Sequence, residues 1–173
     1  MNAAVRALSS YAAYHRDKRN ILTHFIGIPL IWLAIAALIS RPLWQPDWLP
    51  LGISPMLVAG ILLCRYYFSL HRDLGWVMLA VMVLTYLFSA NLAAQSTGTW
   101  LGVSLGMFAV GWVIQFIGHY YEQRKPAFFD DIRGLIIGPV FVAAEACFLL
   151  GRLKTLQQAV EREVGPTVIK PRP

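Results

Sequence analysis

Two stretches of this sequence decide its fold: LGWVMLAVMVLTYLFSANLAA at residues 74–94 and WLGVSLGMFAVGWVIQFIG at residues 100–118. Neither stretch contains a charged residue. Each has about the length that a helix needs to cross a bilayer core, which is roughly 20 apolar residues. Uncharged apolar segments this long are rare in soluble proteins, so both stretches predict transmembrane α-helices.

Three further segments are apolar but are weaker candidates for membrane spans. Residues 25–40 form a short segment. Residues 51–70 contain Pro55 and Arg65, and residues 134–151 contain Pro139 and Glu145. Of the 173 residues, 57% are apolar and 14% are charged, whereas an ordinary globular protein has about 25% charged residues. The mean hydropathy is +0.55. We therefore predict an all-α fold, a polytopic integral membrane helical bundle with four to five hydrophobic helices.

The distribution of basic residues predicts the topology. Nine of them lie in the leader, in the junction at residues 65–73 and in the loop at residues 120–133, whereas the two intervening connections hold one. The positive-inside rule places the first three regions in the cytoplasm. The tail carries five more basic residues, and five complete crossings would place them on the non-cytoplasmic side, against the same rule. We therefore expect one weak segment not to cross the membrane completely. Residues 134–151 are the best candidate, because Pro139 interrupts them and a carboxylate is costly in lipid; residues 25–40 are also short.

Several functional classes are disfavoured by the sequence. The first 24 residues are polar and amphipathic, so we expect no secretory signal. The net charge of +6 comes from residues that flank hydrophobic helices, which favours contact with membrane lipid and no nucleic-acid partner. Nothing indicates the oligomeric state.

We predict a membrane-embedded helical catalytic domain at residues 1–151. A cytoplasmic amphipathic helix and a disordered, proline-containing tail are expected at residues 152–173.

The four histidines are candidates for chemistry, because all fall at the cytoplasmic boundary of this topology: His15, His24, His71 and His119. A single histidine there is commonly an interfacial side chain, but four at one boundary indicate a site. His15 and His24 are nine residues apart and would lie on opposite faces of one straight helix. The chain must therefore bend between them if both belong to the same site.

Three further sets of polar or charged residues add to this candidate site. Gln115, His119 and Glu122 form one polar stripe at the end of an apolar helix, and a His and a Glu three apart can point two metal ligands into a bundle. Glu145 lies inside an apolar segment, which indicates either a functional carboxylate or a hydrogen-bonded packing residue. Arg124 and Lys125 would either anchor the boundary or hold a carboxylate head group.

These residues resemble a known family, the Mpo-like 2-hydroxy fatty acid dioxygenases. One motif runs from His15 through Asn20 and His24 to Pro29, as H-x4-N-x3-H-x4-P. A longer one, QFIGH-x2-E-x-RKPA, begins at Gln115 and ends at Ala127. Shorter matches are Gly111-Trp112, Asp131 and the segment Pro139-Val140-Phe141 through Glu145. The resemblance spans residues 14–151, and His71 lies outside its motifs.

The resemblance implies an iron(II)-dependent membrane dioxygenase that shortens a 2-hydroxy fatty acid by one carbon with O2. It implies that His15, His24 and His119 bind Fe(II), with Glu122 and Glu145 as further catalytic candidates. We expect the remaining motif residues to bind substrate: Asn20, Gln115, Arg124 and Lys125. The active-site face would be cytoplasmic, in a bacterial inner membrane or in the endoplasmic reticulum of a eukaryote. No nicotinamide or flavin motif is present, so we expect no organic redox cofactor.

Two other readings stay open at this point. The chain could be a small transporter in which His119, Glu122 and Glu145 relay protons, although no inverted repeat supports this. It could also be a non-catalytic lipid-binding protein whose histidines are interfacial anchors. Bound transition metal would separate the dioxygenase from both.

Overall fold

A computed structural model describes residues 2–49, 51–127 and 130–171. These residues form seven α-helices: α1 (Ala3–Ala12), α2 (Lys18–Leu38), α3 (Pro55–Leu70), α4 (Arg72–Ala93), α5 (Thr97–Glu122), α6 (Gly134–Leu149) and α7 (Lys154–Val164). Within the described ranges there is no β-strand, only two isolated bridges. The prediction of an all-α polytopic membrane protein is confirmed, and its five hydrophobic segments correspond to α2 through α6.

Three helices, α2, α4 and α5, are long and apolar enough to cross a membrane. The helix α2 has 21 residues because it begins at Lys18, well before the apolar run that we recognised at residue 25. The helix α3 is apolar but has only 16 residues. The segment that we expected to span incompletely is also short: α6 has 16 residues, and it meets α7 at a bend of 116°. The two together would make a fourth, broken span.

Local chemistry explains where several helices begin and end. The side chain of Asn2 accepts hydrogen bonds from the backbone of Ala4 and Val5 and so caps α1. Ser54 caps α3 in the same way, and Pro55 occupies the first helical position, where its missing N–H costs nothing. The break between α6 and α7 contains Gly151 at φ +70° and Leu153 at φ +53°. Glycine adopts this left-handed backbone without strain, which permits the sharp turn.

The chain divides into two compact units, Met1–Pro29 with Gly111–Pro173 and Leu30–Val110. In the first unit α1 packs against α6 and α7. Its buried apolar side chains include Leu8, Tyr11, Phe141, Leu156 and Val160. The core here is therefore built between the amphipathic leader, the bent α6–α7 pair and the ends of α2 and α5.

The second unit is centred on the α3–α4 hairpin. Ala36, Met56 and Met82 form a buried apolar cluster there, and Trp32 donates a hydrogen bond from its indole to Thr85 over 2.9 Å. Many large apolar side chains on α4 and α5 are exposed, such as Leu84 at 67% and Val113 at 59%. Exposed aliphatic surface on long helices suits contact with lipid.

The tail after α7 contacts the connection between α1 and α2 and the end of α5. After α7, Val168 pairs with Asp17 as an isolated bridge, and Lys170 contacts a buried carboxylate, that of Glu122. These residues belong to the same compact unit as the leader, and the division of the chain at residue 151 stays a prediction.

Candidate metal centre

Three of the four histidines come together in the first unit. His15 lies in the connection between α1 and α2, His24 lies on the second turn of α2, and His119 lies in the last turn of α5. The chain bends between His15 and His24, as their spacing requires for a shared site. All three side chains are buried. One ring nitrogen of each lies within 4.8 Å of the other two.

Backbone carbonyls orient the three imidazoles. The Nδ1 atom of His15 lies 2.7 Å from the carbonyl oxygen of Tyr11, and that of His24 lies 2.8 Å from the carbonyl oxygen of Asn20. The Nδ1 atom of His119 lies 3.0 Å from the carbonyl oxygen of Arg124. A carbonyl only accepts, so each Nδ1 carries the proton and each Nε2 keeps its lone pair.

The surroundings of His15 favour the neutral imidazole. Burial lowers the pKa of His15 well below its ordinary value, and the neighbouring His24 lowers it further. Tyr11 stacks on the His15 ring at a centroid distance of 4.1 Å, with 8° between the planes. The ring is thus held in one orientation, and the neutral form is the one that binds metals.

These features fit a metal ion. The Nε2 atom of His15 is buried and has no hydrogen-bond partner among the described residues, which is costly unless another group uses its lone pair. Three neutral imidazoles, each with Nδ1–H bonded to an acceptor, match the usual outer contacts of metal-ligating histidines. Imidazole suits iron, zinc, copper and nickel, and three protein ligands leave coordination positions for other molecules.

Glycines allow α2 and α5 to approach closely beside the histidines. A Cβ atom at Gly27 would lie 3.0 Å from Cγ of Gln115, and one at Gly118 would lie 2.5 Å from Oδ1 of Asn20. Both amide side chains are buried, and both amide oxygens lack a hydrogen-bond partner among the described residues. Asn20 lies one turn before His24, and Gln115 lies one turn before His119. Two unused acceptors therefore lie on the helices that carry two of the histidines.

Glu122 is buried but engaged by other groups. One carboxylate oxygen accepts hydrogen bonds from the backbone N–H of Asp17 at 2.9 Å and from Nδ2 of Asn20 at 3.0 Å. The other accepts a hydrogen bond from Nζ of Lys170 at 2.6 Å. Glu122 is not a member of the three-histidine group. Its position suits a residue that supports the site.

Asp17, which sequence reasoning missed, is fully buried beside this carboxylate. The Arg19 side chain donates two hydrogen bonds to it, at 2.9 and 2.7 Å, and the Arg19 backbone N–H donates a third at 2.8 Å. These bonds, together with backbone hydrogen bonds, lower the pKa of Asp17 to about 2. A signal was present in the sequence, since an Asp two residues before an Arg at a helix start is a common local pair. Its burial depends on the distant tail and had no local signal.

Arg124 and Lys125 lie in the exposed loop that follows α5. The Arg124 guanidinium sits 3.7 Å from the ring centre of Tyr14 and donates a hydrogen bond to the carbonyl of Ala13. Lys125 forms an ion pair with Asp130, whose carboxylate also accepts a hydrogen bond from the Tyr14 hydroxyl. The loop is thereby attached to the leader beside His15.

Glu145 and His71 lie apart from the group. Glu145, on α6, is 4.0 Å from Nη2 of Arg16, the residue that follows His15. His71 belongs to the other unit, where its extended backbone separates α3 from α4. Neither residue belongs to the three-histidine group.

The chain is similar in sequence to known 2-hydroxy-palmitic acid dioxygenases. The profile of a family described as 2-hydroxy-palmitic acid dioxygenase Mpo1-like matches residues 1–150, which include all three histidines of the group. The chain is 29% identical over 160 residues to the 2-hydroxy-palmitic acid dioxygenase MPO1 of Saccharomyces cerevisiae, covering 91% of this chain and 87% of the yeast protein. No solved structure matches. The resemblance read from the motifs is confirmed, and the chain belongs to the Mpo1-like family of 2-hydroxy-palmitic acid dioxygenases.

Proposed function

We propose that this chain is an iron(II)-dependent membrane dioxygenase that shortens 2-hydroxy fatty acids by one carbon with O2. The observation that carries the proposal is the buried group of His15, His24 and His119, whose ring nitrogens lie within 4.8 Å of one another, in a chain of this family. Family membership favours catalysis over the transporter and lipid-binding alternatives.

The three histidines would hold the metal, and Fe(II) would supply the one-electron chemistry that O2 requires. The protein's own contribution is positional. The carbonyls of Tyr11, Asn20 and Arg124 hold the imidazoles in the tautomer that presents Nε2. The buried surroundings exclude bulk water and so protect a reactive site from side reactions.

The substrate's polar end has candidate partners near the cytoplasmic boundary. Arg124 donates one N–H of its guanidinium to the carbonyl of Ala13. A guanidinium has five N–H donors, so others remain to bind a carboxylate. The unused amide oxygens of Asn20 and Gln115 would accept a hydrogen bond from the 2-hydroxyl group. An acyl chain gains about 0.8 kcal/mol for each CH₂ moved out of water, so the bilayer concentrates the substrate at this site.

The reaction balances without another reductant. A 2-hydroxy acid and O2 give the acid shortened by one carbon, CO2 and water. The C1–C2 bond breaks, the hydroxyl carbon becomes the new carboxyl carbon, and the four electrons released reduce O2. One oxygen atom of O2 enters the new carboxyl group and the other leaves as water. Release of C1 as formate with full reduction of O2 to water would need two additional electrons, so CO2 is the one-carbon product of this balance.

The decisive experiment supplies purified protein, Fe(II) and ¹⁸O₂ with either 2-hydroxypalmitate or palmitate. Mass spectrometry should detect pentadecanoate carrying one ¹⁸O atom from the hydroxylated substrate alone, and a carbon label at C1 should appear in CO2. A sample stripped of metal provides the control and should be inactive until Fe(II) is added. Equal turnover of palmitate, or turnover without O2, would refute the proposal.

A further inference from the structure

The segment that follows α7, residues 165–171, runs beside the connection that carries His15; we call it the C-terminal strap. The backbone N–H of Val168 donates to the carbonyl of Arg16 over 2.8 Å, and the backbone N–H of Lys18 donates to the carbonyl of Val168 over 2.9 Å. Arg16 also donates from its side chain to the carbonyl of Gly165. The strap therefore borders the residues on both sides of Asp17.

Lys170 fastens the strap to the end of α5. Its backbone N–H donates to Asp17 over 2.8 Å. Its ammonium group donates to the Glu122 carboxylate over 2.6 Å and to the Glu122 carbonyl over 3.0 Å. The Glu122 side chain is 1% exposed and that of Lys170 is 32% exposed. Lys170 thus forms an ion pair with a buried anion, and Arg16 interacts electrostatically with the same carboxylate.

The same anion joins the elements that carry the three histidines. Glu122 lies three residues after His119 and accepts hydrogen bonds from the backbone of Asp17 and the side chain of Asn20. Asp17 lies two residues after His15, and the carbonyl of Asn20 orients His24. The Glu122 carboxylate therefore fixes the relative positions of three segments: the α1–α2 connection, the start of α2 and the end of α5.

We propose that Lys170 is a positioning residue for the metal centre, and that the strap holds the three histidines in their ligating arrangement. The inference rests on the proposed metal site. Without the ammonium group, Glu122 would be a buried carboxylate with no ion-pair partner among the described residues, which is costly. The side chain would then turn toward water, and that movement would release the hydrogen bonds from Asp17 and Asn20. Lys170 lies beyond residues 1–150, the part of the chain that the family profile matches.

The test is the Fe(II) dissociation constant of the full chain, measured anaerobically in detergent by competition with a chromophoric chelator. We expect Lys170→Met to weaken Fe(II) binding about 10- to 100-fold, the range seen when groups that support metal ligands are lost. Lys170→Arg should restore most of the affinity, because arginine can also pair with the carboxylate. Lys154→Met removes one exposed positive charge from the start of α7 and should leave the affinity unchanged.

A double variant separates charge compensation from simple loss of packing. In Glu122→Gln with Lys170→Met, residue 122 no longer carries a charge that needs a partner. The amide oxygen can still accept a hydrogen bond from the backbone of Asp17, so the affinity should exceed that of Lys170→Met alone. Equal loss in both variants would refute the electrostatic argument. Wild-type Fe(II) affinity in Lys170→Met would overturn the inference and leave the proposed metal site intact. If the wild-type protein bound no Fe(II), the proposed function and the inference would both be refuted.

Discussion

Gly118 on α5 faces Asn20 on α2 so closely that a Cβ atom at residue 118 would lie 2.5 Å from the Asn20 amide oxygen. The hydroxyl of Thr23 would be nearer still. The next residue after Gly118 is His119, and one turn after Asn20 is His24. The small residue therefore sets how near two of the three histidines come to each other.

Gly118→Ala should accordingly disturb the metal centre. The added methyl group must push α2 and α5 apart, and overpacking of this kind typically costs about 1–3 kcal/mol. We expect a lower melting temperature and reduced iron content. Gly106→Ala on the same helix is the matched control, because a Cβ atom there meets nothing within 4 Å. Normal iron content in Gly118→Ala would show that the close contact does not govern the site.

Replacement of each clustered histidine tests the ligand set. His15→Ala, His24→Ala and His119→Ala should each remove most bound iron while the protein remains folded in detergent, because two imidazoles hold a metal far less well than three. His71→Ala should retain iron, since His71 is outside the group. Elemental analysis after anaerobic purification measures the result. Full iron retention in His119→Ala would contradict the assignment.

The metal-free protein should lose stability as the pH falls below about 6.5, the ordinary pKa of histidine. Burial lowers the pKa of His15 well below this value. The unfolded imidazole therefore takes up a proton at a pH where the folded one does not, which favours unfolding by up to about 1.4 kcal/mol per pH unit for this one group. Melting temperatures at pH 7.5, 6.5 and 5.5 would reveal the slope. A His15→Gln protein should show a shallower slope, and an equal slope would assign the effect to other groups.

Glu145→Gln should lower the dioxygenase activity about tenfold. This is the scale of loss expected when a residue supports a metal-binding side chain without itself touching the metal. The substitution leaves Arg16 without its carboxylate partner, and Arg16 is bonded directly to His15 along the chain. Iron content should stay near that of the wild type. Glu163→Gln, an exposed change on α7, serves as the control. Wild-type activity in Glu145→Gln would make Glu145 a packing residue.

The membrane orientation remains a prediction, in which the leader and the loop after α5 face the cytoplasm. After Cys64 and Cys147 are replaced by alanine, Thr97→Cys should react with an impermeant thiol reagent from the outer side of sealed vesicles. Gln123→Cys should react from the cytoplasmic side. Labelling of Thr97→Cys only from the cytoplasmic side would reverse the topology.

Apolar runs and histidine spacing were sufficient to predict much of this architecture. The segments at residues 74–94 and 100–118 became α4 and α5, because uncharged runs of that length have few other stable structures. The nine-residue interval between His15 and His24 required a bend, and a bend lies there. The start of α2 was missed because Lys18, Arg19 and Asn20 interrupt the apolar pattern, although their side chains are used at the site.

Contacts made over long chain separations could not be predicted in this way. Lys170 meets Glu122 across 48 residues and Asp17 across 153, and the prolines around it are typical of disorder. The unpaired amide oxygens of Asn20 and Gln115 likewise depend on which side chains face them in the folded protein. Composition and spacing carry no information about such pairs.

The three carbonyl acceptors of the imidazoles also determine the charge of the loaded site. Carbonyls and neutral imidazoles bring no negative charge, so a divalent cation among them would keep a net charge of about two in a poorly hydrated place. Such a charge favours an anionic guest, and the carboxylate of a fatty acid is one that the membrane itself delivers. These acceptors belong to the main chain, so a substitution of the side chain at residue 11 or 124 would leave the requirement for a counter-charge unchanged.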